Sequence, residues 1–393
     1  LPSDSESADL FDPIFSTDEV LAATGPDAWL QAMLDVEAAL AGVEAEMGLV
    51  PADAAATIAG CCRAERFDPG ELGRAARHGG NPVIPLVEAL RAVVQEPTAQ
   101  WVHRGATSQD ILDSAAMLVT RRSIVLIDGE LDGLAAACAE LAARHRHTVM
   151  AGRTLLQQAL PITFGVKAAG WLVGAVEVRA RLGDAARRLA VQLGGAAGTL
   201  AAFGSEGPEV VRRLSARLGL AEPVLPWHTN RVRVADVASA LGMVVGAAAK
   251  VSLDVGLLMQ TEVGEAAEPR PGGSSTMPHK RNPVGAATVG AAARRAPALV
   301  SVVLGAMVQE HERALGGWQA EWQTLTELLR LAGGAAGRAR ETAAGLDVDV
   351  ERMGDNVGML SAQDIGALVD PSGYIGTSDA LVERALASYH GGS

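Results

Sequence analysis

The chain has 393 residues, of which 49% are hydrophobic, 20% charged and only 3% aromatic; this mixture can bury a large core, excludes a disordered polymer, and with abundant Ala and Leu favours helix over an extensive β-sandwich or barrel. Lys and Arg total 33 against 46 Asp and Glu, and the net charge of −13 argues against a general affinity for nucleic acid or anionic membrane, so an anionic ligand needs a local basic cluster. Three cysteines, Cys61, Cys62 and Cys138, are too few for a disulfide framework and lack the spacing of a zinc or redox motif, which leaves them as buried thiols.

The opening residues are polar and acidic and carry no basic-then-apolar export signal, so the expected compartment is the cytoplasm. From Ser16 to Met47 apolar residues recur at helical spacing after the acidic start Asp18-Glu19, stopping before Gly48 and Pro51, and short helices are expected to about Gln100. Beyond Thr107 long Ala-, Leu- and Val-rich segments predict helices over Ile111–Met150, Pro161–Leu193, Val234–Gly264, Val284–Ala314 and about Gln319–Ala344. The apolar stretches inside them, near Val234–Ala249 and Ala296–Val308, fall short of the roughly 20 residues that span a bilayer, so no membrane span is expected. The reading is therefore all-α. An N-terminal helical domain (1–106) precedes a central long-helix bundle (107–345) and a short C-terminal helical region (346–393), and the apolar helix surfaces imply burial by further copies of the chain.

Functional loops belong in the Gly-rich or polar connections Gly194–Gly198, Pro223–Arg233 and Pro269–Pro283. The last contains Gly272-Gly273-Ser274-Ser275-Thr276-Met277-Pro278-His279-Lys280-Arg281-Asn282-Pro283, a glycine start followed by cations and an amide immediately before a long helix, a composition suited to closing over an anion. Thr107 and Asp110 form a capping-box pattern at the start of another long helix, where free N–H groups favour a carboxylate. His145 and His147 point to different helix faces, and no paired-Cys or His-Glu-x-x-His pattern occurs, so no metal site is expected.

The twelve-residue run resembles the signature loop of the fumarase/aspartase superfamily, in the form one residue shorter between Ser275 and Met277 that adenylosuccinate lyases and related cycloisomerases share. His103–Asp113 and Met150–Pro161 are similar to the first and second motif regions of the same superfamily, the second of which opens another bundle helix. Many of its lyases place His directly after the second-region Thr and Glu about a dozen residues past the loop serine, whereas this chain has Leu155 and Ala287. Pro226–Arg231, Leu258–Glu265 and above all Gln309–Trp322, with Gly316-Gly317-Trp318 and a second Trp at 322, resemble the 3-carboxy-cis,cis-muconate cycloisomerases more than the lyases. The two tryptophans, at i, i+4 spacing, suit core packing as well as substrate contact.

The resemblance implies a fumarase/aspartase-like bundle that assembles into a homotetramer, with active sites shared by three subunits and no cofactor or metal. It implies conversion of the tricarboxylate 3-carboxy-cis,cis-muconate to 4-carboxymuconolactone in protocatechuate (β-ketoadipate) breakdown. Ser274 and Lys280 are then the catalytic residues, with Ser274 transferring the proton. Arg104, Thr107, Ser108, Arg153, Thr154, Gln157, His228, Thr229, Asn230, Arg231, Ser275, Met277, Asn282 and Arg313 bind substrate, Arg313 foremost. Related cycloisomerases can have His where this chain has Gln158, which leaves His228, His279 or water as further contributors to proton transfer. An adenylosuccinate lyase-type β-elimination and a non-catalytic helical scaffold with a shortened C-terminus are the competing readings.

Overall fold

The computed structural model describes residues 10–273, 276–277, 280–358 and 371–391. Ser274, Ser275, His279 and the stretch 359–370, where the C-terminal region reads as short, lie outside the described residues. The N-terminal part holds α1 (Asp12–Phe15), α2 (Asp18–Ala23), α3 (Pro26–Glu46), α4 (Ala52–Cys61), α5 (Pro69–Gly79) and α6 (Val83–Val94). The single helix expected over Ser16–Met47 is broken at Thr24-Gly25, because Pro26 has no N–H to continue α2 and instead opens α3 at its first position.

Five long helices follow and pack on one another: α7 (Ser108–Arg144), α8 (Phe164–Ala186), α10 (Val232–Leu258), α11 (Val284–Gly305) and α12 (Gly317–Ala344), with the shorter α9 (Gly207–Leu218) beside α3. Ile111, Leu118, Ile127, Leu131 and Leu134 are buried on two opposite faces of α7, which packs most on α8 and α12. Small residues let these helices approach closely. A Cβ on Gly334 of α12 would lie 2.0 Å from the carbonyl oxygen of Phe15, so only glycine fits where the chain crosses that helix.

Between α7 and α8 the sequence reading is corrected. Residues Val149–Thr154 (β1) and Gln157–Thr163 (β2) form an antiparallel hairpin instead of helix ends. Thr148, Thr163 and Ile162 favour extended backbone, and Pro161, which lacks an N–H, is disfavoured inside a helix. A second, two-residue pairing joins β3 (Ala266–Ala267) to β4 (Asp347–Val348), before α13 (Val350–Gly358); α14 (Ser378–Gly391) packs on α7 and α8.

At 27 and 22 residues, α10 and α11 are long and apolar enough to cross a bilayer by length and composition, contrary to the sequence expectation. They pack instead as bundle members against each other and α12. Their outer faces still expose Val232, Met243, Leu253, Val302 and Leu304. Cys62 and Cys138 are buried and Cys61 half-buried, all as free thiols; burial pushes Cys138 up to about 12.

Candidate active site

At one end of the bundle the start of α7 is held by Asp110, whose buried carboxylate accepts four hydrogen bonds. Oδ2 takes the N–H of Thr107 (2.9 Å), completing that half of the expected capping box, and the N–H of Gly195 (2.9 Å). Oδ1 takes the N–H of Gly194 (2.9 Å) and pairs with His228 Nε2 (2.7 Å). The Gly194–Gly198 connection is thereby folded over the helix start. A Cβ on Gly194 would lie 2.8 Å from the His228 ring and from Pro226, so the loop needs glycine to approach.

Arg313 reaches this corner from the connection between α11 and α12. Its guanidinium donates to Thr107 Oγ1 (3.3 Å) and to the carbonyls of Ala196 (2.9 Å) and Gly195 (3.4 Å). Ser108 and Thr229 are half-buried, and exposed Asn230 turns its Oδ1 to the N–H of Val232. These contacts unite Thr107, His228 and Arg313.

Arg231 takes a different place. It is 2% exposed, with its guanidinium bonded to both carboxylate oxygens of Asp113 (2.7 and 3.0 Å) and to Glu321, and it lies 4.8 Å from the Trp227 ring. Burial works against its charge, and the two carboxylates more than offset that and raise its pKa. Trp318 donates its indole N–H to Asp113 (2.9 Å) and stacks edge-on with Trp322 at 4.8 Å, so the two tryptophans do share one helix face. Arg231 is therefore a buried strut of this end, its donors spent on carboxylates of the protein itself.

Arg104 donates to Glu44 of α3 (3.2 Å), and its neighbour His103 pairs with Glu37 (2.6 Å), one face and two turns away on the same helix. Both carboxylates are almost fully buried. Desolvation raises Glu44 from 4.5 to about 7, with Arg104 opposing. For His103 burial disfavours the charged ring, but Glu37 outweighs it and raises the pKa. With both folded-state values above the unfolded ones, the folded chain holds more protons, so stability falls as pH rises from about 4.5 through about 7 and further as His103 loses its proton. Urea midpoints at about pH 5 and about pH 8 are expected to show that fall, and Glu44→Gln to flatten it. An unchanged slope in the variant would place the titration elsewhere.

A cavity of about 640 Å³ opens beside this end, lined among others by Trp29, Met33, Leu72, Arg295, Trp322 and Arg330. Of the motif stretches that sequence reasoning singled out, Leu112 of His103–Asp113 and Trp322 of Gln309–Trp322 line it.

The opposite end carries the hairpin and the signature loop. Arg153 makes a two-point ion pair with fully buried Glu265 (Nη1–Oε2 2.8 Å, Nη2–Oε1 2.6 Å), and Asn356 of α13 donates to the same carboxylate (2.7 Å). Thr154, Gln157 and Gln158 are exposed at the hairpin tip. Lys167, in the first turn of α8, is desolvated and its pKa falls, partly countered by Asp254 and Glu265. The signature loop is closed at its neck by Gly272 and Asn282, which exchange N–H···O bonds of 2.9 Å, and the Asn282 amide donates to the Gly273 carbonyl (3.2 Å). Glu268 then anchors the start of α11, accepting from the N–H groups of Gly285 (3.0 Å) and Ala286 (2.7 Å). Lys280 and Met277 are exposed on the loop.

The sequence-predicted residues thus form two clusters within one chain. Arg104, Thr107, Ser108, His228–Arg231 and Arg313 stand at the start of α7 and α10; Arg153, Thr154, Gln157, Met277, Lys280 and Asn282 stand at their far ends. The 37 residues of α7 rise about 55 Å and the 27 of α10 about 40 Å, so no single chain joins the clusters. Sequence reasoning gave no role to Glu37, Glu44, Glu265, Glu268 or Asn356. Their partners lie 17 to 112 positions away, and only Asp110 announced itself, through its capping pattern.

Residues 15–297 match the family described as lyase. The chain is 43% identical to a 3-carboxy-cis,cis-muconate cycloisomerase of Pseudomonas aeruginosa, in an alignment of 449 residues covering 99% of this chain and 98% of that protein. That alignment is longer than the chain itself, so this sequence carries gaps relative to that relative. It is 46% identical to a nitrosuccinate lyase of Streptomyces davaonensis, over 96% of this chain and 83% of that one. Among solved structures, the 3-carboxy-cis,cis-muconate lactonizing enzyme of Pseudomonas putida superposes with a TM-score of 0.91 at 38% identity, covering 97% of this chain and 99% of that chain. The chain belongs to this lyase family and has its fumarase/aspartase-like all-α fold.

Proposed function

From that membership we propose that the protein is a cofactor-independent cycloisomerase that closes 3-carboxy-cis,cis-muconate to 4-carboxymuconolactone, a step of protocatechuate (β-ketoadipate) catabolism. The carrying observation is 43% identity to such a cycloisomerase along almost the whole of both chains. It favours this reading over adenylosuccinate cleavage and over a non-catalytic scaffold.

In the reaction one substrate carboxylate adds to the conjugated double bond. A C–O bond forms, and the electron pair moves to the carbon beside another carboxylate as an enediolate, which then takes one proton. The attacking group is already ionised, so the chemistry asks for one proton donor and for cations around concentrated negative charge. Ser274 is the proposed donor, regaining its proton from solvent, with Lys280 stabilising its alkoxide. Arg313, fixed on Thr107 and the Gly195–Ala196 carbonyls, is the foremost carboxylate-binding group, and half-exposed Arg104 stands at the same end. Leu155 and Ala287 fit a reaction in which no departing amine needs protonation.

Because the two residue clusters stand tens of ångströms apart in one chain, the proposed site is composite. Copies packed side by side through the exposed apolar faces of α10 and α11 would bring the far end of one helix to the near end of another, in a homotetramer whose sites draw on three subunits. Arg313→Ala is expected to raise KM about tenfold or more, with kcat and the unfolding midpoint much less affected; unchanged binding and turnover would leave Arg313 as a strut of the Gly194–Gly198 loop.

A second reading rests on the 46% identity to a nitrosuccinate lyase. Cleaving nitrosuccinate removes a proton beside a carboxylate and expels nitrite, a stable anion that likewise needs no acid. Purified protein should therefore meet both compounds in parallel. Loss of diene absorbance, with the lactone identified by NMR, supports the cycloisomerase; nitrite release with an unreactive muconate selects the lyase. Adenylosuccinate cleavage, read from its purine band, would overturn both.

A further inference from the structure

Aromatic side chains are scarce in this chain, yet one cavity gathers them. Two of the six tryptophans, Trp29 and Trp322, and Phe15, one of five phenylalanines, line the space of about 640 Å³ bounded by α3, α5 and α12. All three are only half-buried, although rings of that size usually dominate a core. Folded interiors leave few voids larger than a water molecule, and ligand sites fall at about 300–1,000 Å³, so a space of this size walled by rings is a built pocket. Leu72 and Gly73 complete the wall from α5, a helix with no buried side chain, so one side of the pocket belongs to an element that the core holds weakly.

The polar groups of the wall set the charge of an occupant. Arg330 is spent, donating to Asp12 (2.5 Å) and twice to Thr24 (2.9 and 3.2 Å). Arg295 is not. Among the described residues it donates through Nη2 alone, to Glu327, and it lies over the Phe15 ring at 5.1 Å, which leaves its other nitrogens to meet an acceptor. The indole N–H of Trp322 is buried and has no acceptor among the described residues, an orphan that a bound oxygen satisfies once the ring turns. Two arginines against Asp12 and Glu327 make the wall neutral overall, which suits an occupant with one charge and disfavours a trianion.

We propose that this cavity is an effector site for an aromatic monocarboxylate, whose ring packs on Trp29 and Trp322 and whose carboxylate meets Arg295. The site is separate from the Thr107–Arg313 corner but touches its supports. Trp322 meets Trp318 edge-on at 4.8 Å, and Trp318 donates to Asp113, the partner of buried Arg231. Leu112, the neighbour of Asp113 on α7, lines the cavity as well. An occupant that fixes Trp322 therefore steadies the end of the bundle that carries Arg313, and KM falls. This coupling rests on the functional reading above; the binding does not.

The probe is 4-hydroxycinnamate, titrated calorimetrically into the assembled protein beside its uncharged amide. A Kd below about 1 mM is expected, with the amide at least about tenfold weaker. Arg295→Gln removes the partner of the carboxylate, and Thr326→Phe fills the cavity from α12. Each is expected to weaken binding at least about tenfold, whereas Arg313→Ala leaves it unchanged. Absence of binding up to about 10 mM probe overturns the proposal. So does binding that survives Arg295→Gln or is lost in Arg313→Ala, since the probe then sits elsewhere, and so does a crystal structure in which a segment of the protein itself fills the cavity. Arg295→Gln alone decides the point if Thr326→Phe fails to fold. Saturating probe is expected to lower KM about twofold or more at unchanged kcat, and an unchanged or raised KM would end the effector role. Wild-type protein inert toward both muconate and nitrosuccinate would reject the functional reading alone, and calorimetry would still decide the site.

Discussion

Replacing Ser274 with alanine is expected to lower kcat by about 10²–10⁴-fold while leaving the unfolding midpoint and the oligomer as they are. The expectation separates the loop's chemistry from its scaffolding. What holds the loop is its neck, where Gly272 and Asn282 exchange backbone bonds, together with the Glu268 clamp on the first turn of α11. These contacts stand on either side of Ser274, and the substitution is expected to remove a proton donor while they keep the frame. In the lactonising direction that donor has only to protonate an enediolate, a far stronger base than water, and its alkoxide needs a cation such as Lys280 until solvent restores the proton. Steady-state turnover by diene absorbance, beside a thermal melt and a sizing run, gives the answer. Near-normal kcat in a folded variant would move proton transfer to another group, and Lys167, desolvated near Arg153 and Glu265, would be examined first.

The long helices were legible because their signal is local. Apolar runs between Thr107 and Ala344 mark α7, α8, α10, α11 and α12, and the Thr107–Asp110 pattern marks where α7 begins. The hairpin was not legible, since its turn carries two leucines where a sequence rule looks for Asn or Gly. The shape there is imposed from a distance, by Glu265 at 112 positions and Asn356 further along. Arg231 has partners that its sequence neighbourhood does not announce, for a related reason. In sequence it sits beside His228, Thr229 and Asn230 like a ligand-binding cation, and only the fold supplies Asp113, 118 positions away, and Glu321, 90 away. Arg313 stands in contrast. Its contacts among the described residues are a hydroxyl and two carbonyls with no charge of their own, and no carboxylate pairs with it there.

That contrast sets the largest stability effect. Arg231→Ala is expected to destabilise the fold by about 3–5 kcal/mol, because it strands the buried carboxylates of Asp113 and Glu321 without their counter-charge. Glu321 already has its pKa raised by burial, with Arg231 holding it down through hydrogen bonding and charge. Without the arginine the folded-state pKa rises further, so ionised Glu321 costs most at high pH, and the deficit relative to wild type should shrink as the medium is acidified and the carboxylates take up protons. Urea midpoints of variant and wild type at about pH 5 and about pH 8, taken as differences, isolate this dependence from the slope that Glu44 and His103 give both proteins. A substrate-binding arginine would behave in the opposite way, raising KM with little change in the unfolding midpoint. A variant within about 1 kcal/mol of wild type at both pH values would return Arg231 to the substrate.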